Sequence, residues 1–357
     1  MDARGGAGDL APEVVVRRAR PSDAEGLRRL HASSSDSGRV AFRPRHHLDE
    51  AEARTTLRPD SDEFVAVVGD QVVGAASVTF RRVWAEADLI GLAWGSGLAV
   101  APAWRRRGIA RALTAALLDA VGDRDTPHVL AAAVQVGNEA SMSNAMSWFD
   151  RVLGTVRVTP VPPPRRPPRP LPGVTVRPAT SADLPAVTEG IRGAARALTL
   201  AWVPDAEELA SWLAVRVGGE LLRSYVVATD ATGHIVAGIG LEEEGRLFSL
   251  EVTRMPAAIA AANLLVRVVP KDRLMRNLNV RLAWFEPGHE AAAQAMWRHV
   301  RWDYRDRGTS IVRAVDPTGP LARALPVARW LPSTSLRVVV REPPGVRLPP
   351  LPIGAVV

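Results

Sequence analysis

The residues with the clearest chemical potential in this sequence form a short loop between a predicted strand and a predicted helix. Leu98, Ala99 and Val100 end a hydrophobic, strand-like run, and residues 101–104 (Ala-Pro-Ala-Trp) interrupt it. A strongly helical run over residues 111–121 follows. A loop that leads into a helix N-terminus presents free backbone N–H groups and the positive end of the helix dipole at one point. The sequence therefore predicts an anion site suited to a pyrophosphate.

The side chains of the loop favour the same ligand. Gly108 and the small Ala110 let phosphate oxygens approach the main chain, where a bulky side chain would block them. The arginines add charge-assisted contacts, including contacts with the 3′-phosphate of a nucleotide. The alternative is an ordinary arginine-rich turn. The residues expected to bind the ligand are Leu98, Ala99, Val100, Arg105, Arg106, Arg107, Gly108, Ile109, Ala110 and Arg111.

The elements that would position this loop occur twice along the chain. The pattern Val-Arg-x-Ala-x-x-x-Asp occupies residues 16–23 and recurs at 176–183, 160 positions later. Each copy follows an apolar, strand-like run. The candidate helix N-caps are Asp23 in the first copy and Ser181 or Asp183 in the second. Two β-rich runs joined by a turn come next, over 64–78 and 225–241. This order predicts, for each half, an α+β fold with a mixed, mostly antiparallel sheet flanked by helices.

The chain of 357 residues has the length of two domains, since a domain takes roughly 150 residues. Residues 160–173 contain eight prolines and predict an extended linker, with a proline-rich docking ligand as the alternative. The expected organisation is a flexible N-terminus (1–12), lobe one (13–159), the linker (160–173), lobe two (174–342) and a proline-rich C-terminal tail (343–357).

Composition excludes several classes of function. The absence of cysteine excludes disulfides, thiolate metal sites and a cysteine nucleophile. No apolar run approaches the roughly 18 residues of a membrane span, so we expect a soluble, cytoplasmic protein. The net charge of +7 raises a polyanion as a partner. Since Lys271 is the only lysine and no nucleic-acid-binding signature accompanies the arginines, coding bias explains this charge better.

The loop resembles the pyrophosphate loop of the GCN5-related N-acetyltransferases (GNATs). Arg105-x-x-Gly108-x-Ala110 matches the motif, and residues 98–102 match the strand that leads into it. The resemblance implies a tandem GNAT protein in which lobe one binds acetyl-CoA as cosubstrate and needs no metal. It also implies that the pantetheine arm pairs with the main chain of residues 98–100 like an added strand. The thioester would lie beside the strand at 128–136, and a small-molecule amine would attack it directly.

The resemblance also indicates what is missing. The family's general-acid tyrosine falls on Asp150, and its catalytic glutamate falls on Ser96. Glu86, with Asp88, is the nearest carboxylate, although both also fit a surface turn. Ser96, Glu86 and Asp150 are therefore the candidate catalytic residues, with Ser147 or water as alternative proton sources. His46 and His47 fall in the region that forms the acceptor site in this family, and one of them would line it; the alternative is a plain surface turn.

Lobe two departs further from the family. Its counterpart strand, 247–253, runs into residues 254–259 (Arg-Met-Pro-Ala-Ala-Ile) without a glycine-rich turn. We therefore expect lobe two to bind no CoA, to support lobe one and to wall part of the acceptor pocket. His289 and His299 have no third ligand at a metal-binding spacing, so we expect surface or packing roles for them.

Two other functions stay open at the level of sequence. The first is an aminoacyl-tRNA-dependent, amide-forming transferase on the same fold, with tRNA as its partner. The second is a non-catalytic acyl-CoA sensor, which the missing tyrosine and glutamate favour. No membrane partner is expected, and the chain would be a monomer or a homodimer.

Overall fold

The computed structural model describes residues 14–33, 41–48, 50–85, 88–266 and 268–354. Within these ranges the chain forms two lobes of helices and strands. The elements of lobe one are β1 (Val15–Arg18), α1 (Ala24–Ser33), β2 (Ala41–His46), α2 (Glu50–Leu57), β3 (Ser61–Val68), β4 (Gln71–Ala85), β5 (Asp88–Val100), α3 (Ile109–Gly122), β6 (His128–Gln135), α4 (Glu139–Ala145) and β7 (Arg151–Val161).

Lobe two repeats this order with insertions. Its elements are β8 (Thr175–Pro178), α5 (Leu184–Ala195), β9 (Ala201–Trp202), α6 (Ala206–Leu213), β10 (Arg216–Val217), β11 (Glu220–Leu221), β12 (Arg223–Thr229), β13 (Ile235–Glu242), β14 (Phe248–Arg254), α7 (Ala257–Val266), β15 (Leu274–Met275), β16 (Asn277–Phe285), α8 (Glu290–Asp303), β17 (Ser310–Val315), α9 (Pro320–Ala324) and β18 (Thr334–Arg341).

One sheet runs through both lobes. Its strand order in the described residues is β1-β3-β4-β5-β6-β18-β7-β17-β16-β13-β12-β8. Most neighbours are antiparallel, whereas β5 with β6 and β16 with β17 are parallel. The predicted α+β class and the mixed, mostly antiparallel strand pairing are confirmed. The two predicted sheets are not separate, because β7 of lobe one pairs with β17 of lobe two.

The last strand of lobe two lies in the sheet of lobe one. β18 fills the space between β6 and β7, and Val338 pairs with Ala133 on one side and Gly154 on the other. Val338, Val339 and Val340 are fully buried there. Without β18, two long strand edges would be left unpaired inside the protein. The predicted lobe boundary, which assigned this strand to lobe two, therefore does not follow the sheet.

The segment after β18 packs against lobe one. Leu348 and Ile353 are buried in a cluster with Leu92 and Trp94. Arg151 forms an ion pair of 2.6 Å with Glu342 and donates to the carbonyl of Leu348 at 3.1 Å. Earlier in the chain, β7 includes the first two residues of the predicted linker, and residues 162–174 form neither helix nor strand.

Two layers of helices cover lobe one because alternate residues of a strand face opposite sides of the sheet. In β3, Phe64 and Ala66 pack in one core cluster with α3. Val65 and Val67 pack in another cluster with α1. The same alternation in β4 decides which of its side chains face away from α3.

The internal repeat is visible in atomic detail. Arg17 donates two hydrogen bonds to Asp23, at 2.7 and 2.8 Å. Arg177 binds Asp183 with the same two distances. The guanidinium group in each pair lowers the pKa of the aspartate. Both aspartates directly precede a helix, and Asp183 is the N-cap residue of α5, as predicted. The Asp183 side chain makes no cap hydrogen bond to α5, because each carboxylate instead accepts the backbone N–H three residues earlier and closes a 3-10 turn.

Lobe two differs from lobe one at one strand. By chain order, β14 and α7 are the counterparts of β5 and α3. However, β13 pairs directly with β16, with Gly238 opposite Trp284. β14 instead pairs with β15 and with β2 of lobe one. This pairing joins the two lobes, and the ion pair between Arg43 and Glu251 (2.9 Å) reinforces it.

Candidate active site

A wedge opens between β5 and β6 in lobe one. The two strands pair in parallel only from Gly91 to Gly95 of β5. Beyond Gly95, β5 stays paired with β4 alone, while β6 stays paired with β18 alone. The backbone groups of residues 96–100 that point away from β4 therefore have no strand partner in the described chain. An extended ligand can pair with them as an added strand does.

A β-bulge marks the start of the wedge. The register between β4 and β5 shifts between the pairs Ser77↔Ser96 and Ala75↔Ala99. Gly97 lies in the bulge with φ of +66°, a conformation that glycine adopts without strain. Bulges redirect a strand and increase its local twist. This one turns β5 away from β6 at the point where their pairing ends.

The loop that follows β5 has the geometry of an anion site. A 3-10 turn, Pro102–Trp104, leads to two residues with positive φ, Arg106 (+62°) and Gly108 (+79°). Gly108 is the N-cap of α3, and a Cβ atom built on it would have no neighbour within 4 Å. The main chain at Gly108 is therefore open to an incoming group.

The backbone N–H groups of this loop are available to bind an acceptor. Among the described residues, none of the backbone N–H groups from Arg106 to Arg111 donates a hydrogen bond, whereas the N–H of Ala112 binds the carbonyl of Gly108 at 3.0 Å. These groups lie at the N-terminus of α3, where the helix dipole favours negative charge. The site therefore matches a phosphate or pyrophosphate.

Some of the predicted ligand-binding residues hold the loop in place, and others are exposed to solvent. Ile109 is buried against β4 and fixes the helix to the core. Arg105 donates through Nε to the carbonyl of Val100 at 3.1 Å and so closes the loop, while the guanidinium of Arg107 lies 4.9 Å from the centre of the Trp104 ring. Arg106 and Arg111 are exposed. The structure brings the whole predicted set, residues 98–100 and 105–111, to one end of the wedge.

Comparison with known proteins agrees with this geometry. The acetyltransferase (GNAT) family matches residues 27–145, which include most of α1, the wedge and the loop. The match places lobe one in the GNAT superfamily. A search of curated proteins finds no significant match.

Solved structures with the same fold cover both lobes. A GCN5-related N-acetyltransferase from Sphaerobacter thermophilus is 17% identical, with a TM-score of 0.60 over 95% of this chain and 99% of that one. A tandem GNAT protein from the clavulanic acid biosynthesis pathway is 17% identical (TM-score 0.59; 92% and 98% covered). N-myristoyltransferase from Saccharomyces cerevisiae with bound myristoyl-CoA is 10% identical (TM-score 0.64; 95% and 81% covered). The chain therefore has the fold of these three proteins.

Ser96 lies at the closed end of the GNAT wedge. Its hydroxyl is 2.9 Å from the hydroxyl of Ser77 and accepts a hydrogen bond of 2.8 Å from Nη1 of Arg58. Ser77 lies opposite Ser96 on β4, and Arg58 follows α2. Three elements therefore hold the Ser96 hydroxyl in place beside the wedge.

The other two candidate catalytic residues do not join Ser96. Asp150 is exposed, and its carboxylate accepts the backbone N–H of Glu342 at 3.3 Å, where β7 meets β18. Because β6 and β18 lie between β5 and β7, Asp150 is separated from β5 by three strand spacings, roughly 14 Å. Glu86 lies outside the described residues, and Asp88 begins β5.

The hydroxyls of both tyrosines are bound within lobe two, away from the wedge. Tyr225 is buried in lobe two, donates to the carbonyl of Leu282 at 2.7 Å and accepts from Trp284 at 3.0 Å. Burial raises its pKa well above the ordinary value. The hydroxyl of Tyr304 is bound to Ser224 of lobe two at 2.9 Å. No tyrosine hydroxyl is therefore directed at the lobe-one site.

The histidines occupy several places. His46 lines a cavity of about 400 Å³ between α1 and β2, together with His31. His47 contacts the hydroxyl of Ser249 across the lobe boundary at 2.8 Å. His289 and His299 are half-buried residues of lobe two. Among the described residues, no group of three or more His, Asp or Glu side chains could hold a metal ion, and none of the helices could span a membrane.

Sequence reasoning missed a polar cluster between the lobes. Glu242 of lobe two is buried and binds Arg223 at 2.8 Å and Arg281 at 3.0 Å. Burial opposes its ionisation, but the two guanidinium groups hold the pKa of Glu242 below its ordinary value. Burial raises the pKa of the nearby Glu244, although Arg281 and Arg58 oppose the shift. This cluster faces lobe one near Ser96, and its partners are too far apart in sequence to form a motif.

Proposed function

We propose that the protein is an acyl-CoA-dependent N-acyltransferase that moves an acetyl group from acetyl-CoA to an amine of a small molecule. The observation that carries this proposal is the coincidence, in lobe one, of the open wedge and the loop of unpartnered N–H groups. The first can pair with pantetheine, and the second can bind its pyrophosphate. Lobe two has no such wedge because β13 and β16 pair directly.

The reaction needs few groups from the protein. The neutral amine attacks the thioester carbonyl carbon, a C–N bond forms, and the C–S bond breaks. The amine gives up one proton, and the departing CoA thiolate takes up one. The main-chain groups of residues 96–100 would bind the donor, and the Ser77–Ser96–Arg58 chain would fix the polar wall beside the thioester. Such positioning alone supplies a large share of catalysis by enzymes.

The identity of the donor is the first property to test. A thermal-shift series with acetyl-CoA, longer acyl-CoAs and total tRNA compares all the donors on one protein. A ligand at about a hundred times its Kd stabilises the native state by roughly 2.7 kcal/mol. We expect a clear rise in Tm with acetyl-CoA and a weaker one with tRNA. A rise with tRNA alone, lost at higher salt, would contradict acyl-CoA as the donor.

A non-catalytic acyl-CoA sensor is the second candidate. It is favoured by the two tyrosines, whose hydroxyls are bound within lobe two, and by the distance of Asp150 from β5. Release of free CoA thiol over a broad amine panel separates the two functions. Turnover would support the transferase, and binding without turnover would support the sensor.

A further inference from the structure

Arg81 is an unusual residue on the face of β4 that looks away from α3. Ala76, Val78 and Phe80 pack in the core cluster with α3. Because alternate residues share a face, Thr79 and Arg81 lie on the opposite side of the sheet, toward lobe two. The ring of Trp202, from β9 of lobe two, lies 4.5 Å from the guanidinium of Arg81.

The positive charge of Arg81 has no counter-ion in the described protein. Arg81 forms no ion pair, and its Nε atom is buried without a hydrogen-bond partner. Burial lowers the pKa of Arg81 to about 10, and Arg281 and Arg223 add repulsion that Glu242 and Asp60 only partly offset. Glu242 is itself already bound to Arg223 and Arg281.

Such an arrangement is costly unless something binds it. A cation withdrawn from water without a partner destabilises the fold, and buried charges are ordinarily paired. The Thr79 hydroxyl, two residues away on the same face, is also buried without a hydrogen-bond partner. Thr79 is fully buried, whereas the Arg81 side chain is half-buried, so Arg81 is the group of this strip that keeps contact with the surface.

The strip leads to the proposed reaction site. Ser77 lies opposite Ser96 at the wedge, and Arg81 lies opposite Leu92 further along the same strands. Four residues of a strand separate the Cα atoms of Ser77 and Arg81 by roughly 13 Å. A substrate of that length would place its amine at the first point and an anionic group at the second. The planar guanidinium fork matches a carboxylate in particular.

We propose that the acceptor carries a carboxylate remote from its amine and that Arg81 binds this carboxylate. The inference rests on the proposed function, since it names the substrate class of the same site. The first test uses the wild-type enzyme, acetyl-CoA and a series of linear ω-amino acids of different lengths, each compared with its own amide. In each pair the amine is far from the carboxylate or amide, so its own pKa and reactivity differ little between the two compounds.

For acids of a length that reaches Arg81, we expect a kcat/KM at least about tenfold above that of the matching amide. A factor of about ten is what one charge-assisted hydrogen bond contributes. Arg81→Gln should abolish this preference and leave the Kd of acetyl-CoA unchanged. Arg81→Lys should retain part of the preference, because it keeps the charge and loses the fork. The matched control is Arg82→Gln, since Arg82 is exposed and pairs with Glu208 at 3.2 Å; it should keep the preference.

The outcomes separate the two proposals. Equal rates for acids and amides in the wild type would overturn the carboxylate inference and leave acyl transfer intact. A preference that survives Arg81→Gln would overturn the role of Arg81. No binding of acetyl-CoA, or no turnover of any amine, would overturn the proposed function itself. Thermal unfolding checks that the variant folds, because removing a half-buried charge without a counter-ion should leave the Tm of Arg81→Gln equal to or above that of the wild type.

Discussion

Gly108 offers the sharpest test of the phosphate loop. Its φ of +79° is strained for any other residue, yet a Cβ atom there would meet nothing within 4 Å. A substitution at Gly108 therefore changes the backbone energy and the charge of the loop without a steric clash inside the protein. Gly108→Ala measures the backbone effect alone, about 1–2 kcal/mol of stability. Gly108→Glu adds a negative charge beside the unpartnered N–H groups.

The charge effect is large. Two like charges about 4 Å apart repel by roughly 4 kcal/mol near a protein surface. Each 1.4 kcal/mol is about a factor of ten in affinity, so Gly108→Glu should weaken acetyl-CoA binding about a thousandfold. Gly108→Ala should weaken it by less than about tenfold, because its cost falls on folding more than on binding.

Isothermal titration with acetyl-CoA measures both effects. The matched control is Gly122→Glu, at the far end of α3, where a Cβ atom also meets nothing within 4 Å. This control should bind acetyl-CoA as the wild type does. Full affinity in Gly108→Glu, with a normal unfolding transition, would refute the assignment of this loop to the pyrophosphate.

Three further predictions follow from the same structure. Calorimetry should give one acetyl-CoA per chain, because lobe two lacks a wedge between its counterpart strands; two sites would contradict this. Tyr304→Phe should keep turnover within about threefold, because the hydroxyl binds Ser224 inside lobe two; a loss of about a hundredfold would make it a general acid. Glu244→Gln should raise Tm at about pH 8, because ionisation of a carboxyl with a raised pKa costs stability as pH rises through that pKa. The gain over the wild type should vanish near the ordinary glutamate pKa of about 4.3. A variant with the Tm of the wild type at both pH values would count against a raised pKa of Glu244.

Local sequence patterns predicted the parts of the fold that depend on local physics. Alternating apolar residues gave both hairpins, and the Gly108 loop was identified because a strand end, small residues and a helix N-terminus coincide in a few positions. The repeated Val-Arg-x-Ala pattern correctly indicated two copies. It did so because Arg17 and Arg177 form the same ion pair in each lobe.

The features that sequence reasoning missed depend on contacts between distant segments. The apolar run of β18 fits any buried strand, and nothing in its own residues shows that it fills lobe one. Asp150 takes the family's tyrosine position in sequence, yet its carboxylate binds the end of β18. Arg81 looks like a surface arginine beside Arg82 until Trp202 of lobe two covers it. A half-buried guanidinium without a counter-ion can be recognised only once both lobes are in place.

Hydrogen–deuterium exchange with and without acetyl-CoA tests the central claim most directly, because it locates the cofactor without knowledge of the acceptor. The free N–H groups of the loop and the unpaired edge of β5 should exchange fast in the free protein. We predict that acetyl-CoA slows exchange at residues 96–100 and 105–111 of lobe one and leaves residues 254–259 of lobe two unchanged. Protection centred on residues 254–259, or none at the lobe-one wedge, would contradict the account.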